Sequence, residues 1–208
     1  IFLLSGSDTN TVSGNEAVSY AAGIRLDSSA FNTVSGNTAR SNTSSGFYVN
    51  ASSAYNVLKN NTASANTIYG FTVSVSSNNT LSGNTSNSNT QIGFSLNTGS
   101  SNNILTNNTA AANTQHGIEI ATATGNTIGQ NDLLANVRYQ IFFQNNFSSS
   151  DTFQKNNIQT SGTNPDSGVF NGSVSVTNKF TITRNWWNST DTDRIKRMIY
   201  QQSAGDSL

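Results

Sequence analysis

The feature that most limits what this chain can become is a phrase that returns every 22 to 24 residues. Asn-x-(Val/Leu/Ile)-x-x-Asn begins at Asn10, Asn32, Asn56, Asn79, Asn103 and Asn126, with a weaker copy from Asp151 and another ending at Asn185. A second phrase, Gly-apolar-x-apolar, keeps the same step from Gly23, Gly46, Gly70, Gly93 and Gly117, and Gln140 continues it without glycine. A unit this short cannot bury its own apolar face, so the repeat points to a solenoid in which each unit covers the next.

The pattern inside one period selects the kind of solenoid. Apolar positions alternate with polar ones, as in Phe47-Tyr48-Val49, and no stretch shows the 3.6-residue period of a helix. Three short strands per coil fit. The sequence therefore predicts an all-β, right-handed, single-stranded parallel β-helix of about eight coils of 22–25 residues, the hand following from the crossover rule. One strand points Ile24, Phe47, Phe71, Phe94, Ile118 and Ile141 inward, with Leu26, Val49, Val73, Leu96, Ile120 and Phe143 beside them. A second contributes Val12, Val34, Leu58, Leu81, Leu105, Ile128 and Phe153, and a third the smaller Ala17, Ala39, Ala63, Ser86, Ala110 and Leu133. The 33 Asn residues then have a structural use: a corner Asn tolerates left-handed backbone, and its amide bonds to the amide one coil on. Asn37, Asn61, Asn84, Asn108, Asn131 and Asn156 form one expected ladder, and Asn42, Asn66, Asn89, Asn113 and Asn136 a second.

Composition excludes several partners. Formal net charge is zero and only 10% of residues are charged, so there is no clustered positive field for nucleic acid. No apolar run is long enough to span a membrane. Cysteine is absent, and His116 and Met198 are the only His and Met, which rejects a copper or other soft-metal site. No cofactor is expected; the one weak option is a Ca²⁺ ion held by Asn carbonyls.

These repeats resemble the right-handed parallel β-helix repeat proteins, the group that includes carbohydrate-binding and sugar-hydrolase β-helices and the NosD-like periplasmic proteins. The resemblance implies the fold over residues 1–188, and functions that range from lyases and epimerases to adhesins and inert scaffolds. "NWWNSTD" near the end is similar to the phrase closing many β-helix segments of bacterial and archaeal surface proteins. Residues 159–172, with Pro165, read as a loop insertion and 203–208 as a tail or linker. Residues 189–202 read as a short capping helix, with Thr190 and Asp193 as a capping box and Trp187 beneath. At the other end Phe2 and Leu4 align with the inward columns. An open first strand there is expected to meet further domains of a longer chain or a neighbouring subunit.

Chemistry is sparse. Asp27 and Glu119 both sit on strand one but lie four coils apart, roughly 19 Å at the strand spacing. Glycosidase carboxylates need about 5–9.5 Å. One stripe stands out: the residues before the strand-one Gly align Tyr69, His116 and Tyr139, and the adjacent outward column carries Tyr48 and Glu119. Planar rings beside amides suit sugars, which stack and accept or donate through hydroxyls. The sequence therefore favours a non-enzymatic scaffold or adhesion module, extracellular, cell-surface or periplasmic, with a glycan as partner. The alternative is a polysaccharide-active lyase, epimerase or hydrolase.

Overall fold

The computed structural model describes residues 1–144, 150–160, 168–171 and 181–201. Within them the chain winds as a β-solenoid of three parallel sheets. A nine-stranded sheet runs from Phe2–Leu4 to Ile199–Gln201, and its members from Ala22–Asp27 to Tyr139–Gln144 are six residues long. An eight-stranded sheet of three-residue strands runs from Thr11–Ser13 to Thr181–Thr183, and a seven-stranded one from Glu16–Val18 to Asn157–Gln159. Seven coils therefore contribute a strand to every sheet. All the predicted inward columns are buried except Val12, which is partly covered. Phe47, Phe71 and Phe94 stack on one another with ring centroids 4.6 and 4.8 Å apart, the spacing that strand pairing imposes.

The first strand corrects the expectation. Phe2 pairs with Arg25, Leu3 with Leu26 and Leu4 with Asp27. Leu3 is 7% exposed, whereas Phe2 and Leu4 are 56% and 49% exposed. A one-residue slip turns every side chain to the other face. The slip arises because the corner after the long strand varies by one residue: Leu3 precedes Asn10 by seven positions, Leu26 precedes Asn32 by six.

Both predicted Asn ladders are present, and a third was missed. In each, the Oδ1 of one Asn accepts from the backbone N–H and the Nδ2 of the Asn one coil earlier. Asn84, for example, accepts from Asn61 N at 2.9 Å and Asn61 Nδ2 at 3.0 Å. The third ladder runs through Asn10, Asn32, Asn56, Asn79, Asn103 and Asn126 to Asp151. The ladders stand five residues apart, so each short strand is bracketed by two of them. The left-handed backbone belongs to the residue before the ladder Asn, not to the Asn itself: Ser41, Ala65, Ser88 and Ala112 hold φ between 51° and 54° in one such column. Thus one residue turns the corner and the next ties it down.

Asn84→Ala tests the ladder. Its Nδ2 also donates to Leu58 O at 2.9 Å and to Asn108 Oδ1 at 3.0 Å, so truncation strands groups on both neighbouring coils in a dry interior. The expected cost is about 1–3 kcal/mol by urea titration; a neutral result would make Asn84 a solvated corner residue.

The second ladder ends by an exchange of roles. Each strand-one Gly lies against the ladder Asn of the next coil; a Cβ on Gly117 would sit 2.7 Å from Asn136 Nδ2 and 2.6 Å from Gln140 O. Five residues past Asn156, where that ladder's next Asn is due, the chain has Ser161. There the Gly gives way to Gln140, whose Oε1 accepts from Asn136 Nδ2 at 2.7 Å and Asn136 N at 3.1 Å. The amide missing from the backbone corner is delivered by a longer side chain.

Towards the end, the helix is Thr192–Met198, shorter than the expected 189–202, because Ile199–Gln201 returns to the long-strand sheet. Its cap is Asp191, not Thr190: Asp191 Oδ1 accepts from Asp193 N at 2.9 Å and Arg194 N at 3.2 Å. Trp187 and Met198 are buried, and Ile195 and Ile199 pack against the core. Part of the span expected as an insertion near 159–172 is strand: Gln159 ends Asn157–Gln159, and Val169–Asn171 joins the long-strand sheet with Val169 buried opposite Ile141. Residues 161–167 and 172, and the 203–208 tail, lie outside the described residues.

Candidate functional site

Inward columns repeat almost unchanged, so the coils differ chiefly on their outer surfaces. On the long-strand sheet three columns point outward. The first holds Ser45, Tyr69, Ile92, His116 and Tyr139; the second Arg25, Tyr48, Thr72, Ser95, Glu119 and Phe142; the third Ser74, Asn97, Ala121 and Gln144. The predicted stripe residues therefore share one face, but they do different things.

His116 is 2% exposed, covered by Phe142 at 4.5 Å and Tyr139 at 5.5 Å between ring centroids. Its ring supports the stripe from beneath. Burial, with the Arg138 charge adding to it, pushes its imidazole pKa down to about 3, so it is neutral at ordinary pH. His116 Nδ1 has no hydrogen-bond partner. Ile92 separates Tyr69 from this cluster. Tyr69 is half-buried, and its hydroxyl pKa is raised by burial, then by the negative charge of Glu119 and by Tyr48. Burial also raises the Glu119 carboxyl, against the pull of Arg138. Tyr48 lies under the Arg25 guanidinium, 5.2 Å from its ring centroid, and Arg25 is paired with Asp27 at 2.6 Å.

Between Tyr69 and Gln144 a groove of about 350 Å³ crosses four coils, a volume within the usual range for ligand sites. Tyr69 and Glu119 form one side; Ser74, Asn97 and Gln144 form the other, closed by the corner residues Thr98 and Thr122. Sequence reasoning found Tyr69 and Glu119 here and missed Asn97, Gln144 and the two threonines, as well as Arg138, which acts on Glu119 from outside the groove. Arg138 carried a usable signal, since it directly precedes Tyr139 in the stripe. The corner threonines carried none, because their position depends on a loop that varies by one residue from coil to coil. Among the described residues no three His, Cys, Asp or Glu side chains converge as metal ligands, and no helix is long and apolar enough to cross a membrane.

A family model described as a right handed beta helix region matches residues 1–133. No curated protein matches the chain. Solved structures with a similar fold include the periplasmic alginate epimerase AlgG, at 14% identity and TM-score 0.64, covering 97% of this chain and 49% of that one. Another is the A-module of the Azotobacter vinelandii mannuronan C-5 epimerase AlgE4, at 17% identity and TM-score 0.71, covering 95% of this chain and 58% of that one. The chain thus spans about half the length of these structures, and at such identities the likeness is one of fold.

Proposed function

The chain belongs to the right-handed β-helix family, and from the face that this architecture exposes we propose that it is a non-enzymatic β-helical scaffold that binds carbohydrate. The groove beside Tyr69 carries the reading: it offers an aromatic ring, a carboxylate, two amides and three hydroxyls along four stacked coils. Four coils span about 14 Å between the outer strands, enough for a short oligosaccharide. Tyr69 and Tyr139 supply the stacking surfaces, Glu119 a hydrogen-bond acceptor, and Tyr48 the rim at the neighbouring coils. His116 holds Tyr139 and Phe142 in place from below. A surface or periplasmic setting belongs to the same proposal, since polysaccharides lie there.

The test is a glycan-array screen followed by calorimetric titration of the Tyr69→Ala/Tyr139→Ala double variant, with folding checked by circular dichroism. Two lost ring contacts are expected to weaken binding about tenfold or more. Unchanged affinity would move the site elsewhere.

The second reading is a polysaccharide-active enzyme, favoured by one observation: Glu119 and Tyr69, both with raised pKa, face one groove, and Glu119 feels the charge of Arg138. The structural likeness to alginate epimerases points the same way. Product formed from alginate or pectate that vanished in Glu119→Gln would favour it over the scaffold; on the scaffold reading, none forms.

A further inference from the structure

The hydrogen-bonding capacity of the groove is unevenly used. Asn97 donates its Nδ2 to Ser95 Oγ at 3.2 Å, which turns its Oδ1 the other way, and that oxygen is buried with no partner. Glu119, one coil on in the adjacent column, makes no hydrogen bond or ion pair among the described residues. Two acceptors of residues lining one groove therefore stand without a donor. Among the described lining residues Glu119 alone is a carboxylate and none is cationic; the others, Ala121 apart, offer hydroxyls and amides. Arg138 is within electrostatic reach of Glu119 but does not line the groove, and its guanidinium lies 5.8 Å from the Tyr139 ring centroid.

A ligand matched to this surface brings O–H donors and no anion. We infer that the groove selects a neutral, hydroxyl-rich oligosaccharide, whose hydroxyls donate to Glu119 and Asn97, and discriminates against uronate chains, whose carboxylates would be set against Glu119. This rests on the carbohydrate-binding reading and deepens it. The selectivity is opposite to that of a protein acting on alginate, a polyuronate. Like charges repel more strongly in a half-buried groove than in open water, so one carboxylate suffices to discriminate. An unmet acceptor such as Asn97 Oδ1 adds a preference for ligands that bring a donor.

The experiment is isothermal titration of the whole chain with neutral manno- and cello-oligosaccharides and with oligomannuronate and oligogalacturonate of equal length. The wild type is expected to bind a neutral chain about tenfold or more tightly than the uronates, a gap of about 1.4 kcal/mol or more. Glu119→Gln, which keeps the shape and removes the charge, should narrow that gap, and Asn97→Ala should weaken the neutral ligand. Uronates bound as tightly as neutral chains by the wild type would overturn the selectivity and leave carbohydrate binding standing. Neutral binding undiminished in both variants would also overturn it. Binding to neither class would remove the carbohydrate reading itself, and this inference with it.

Discussion

Replacing Phe71 by Ala is expected to destabilise the protein by about 3–5 kcal/mol, read as a shift of the urea midpoint at unchanged slope. Phe71 is the middle ring of the stack with Phe47 and Phe94, and all three are fully buried. Truncation removes its transfer energy and opens a cavity that the backbone cannot close, because strand pairing fixes the coils on both sides. A solenoid adds a reason for the high end of the range: stability is a sum over neighbouring interfaces, and an interior coil takes part in two. Phe71→Leu, which keeps most of the volume, should cost much less. A loss below about 1 kcal/mol for Phe71→Ala would mean that the inward register of this strand is wrong.

That register was legible because alternation and period agree at every long strand from Ile24 to Phe143. The first strand was misread where only one of them was available. Phe2, Leu3 and Leu4 are all apolar, so alternation is silent, and a fixed step of 22 residues cannot see a corner longer by one. The third Asn ladder was hidden for a different reason. Asn32, Asn56 and Asn79 open the very phrase that defines the repeat, yet they sit beside left-handed residues as varied as Phe31, Tyr55 and Asn78, and no single residue type marks the corner. Gln140 looked like a lapse in the Gly series and is its completion, which only the position of Asn136 discloses. At the site, columns followed from the period, so Tyr69, His116, Tyr139, Tyr48 and Glu119 were placed on one face. Depth did not follow. Whether an outward His is exposed depends on the size of the residue one coil on in the next column, here Phe142.

The burial of His116 carries the second large expectation: stability should fall as pH drops from about 6.5 towards 3. The folded imidazole has its pKa lowered to about 3, against an ordinary value of 6.5, chiefly by burial and then by Arg138. Between those values the unfolded chain binds a proton that the folded one refuses, so unfolding is favoured by acid; above about pH 6.5 neither state is protonated and the stability is fully present. At about 1.4 kcal/mol per unit the loss approaches roughly 3–5 kcal/mol at the lower limit. Glu119 acts in the opposite sense. Its folded pKa is raised, so its contribution is present below the ordinary carboxylate value and is lost as pH rises from there through the raised folded one. The two are separable, because His116 is the only histidine in the chain and Phe can replace its ring while keeping the stack with Phe142 and Tyr139. In urea titrations from pH 7 to pH 3.5, His116→Phe should lose much less stability than the wild type. At pH 7 it should be at least as stable, since the substitution also removes the unpartnered Nδ1. Parallel pH profiles for the two proteins, or an imidazole that titrates near 6.5 by NMR, would show that water reaches the ring and that His116 lies on the surface of the stripe.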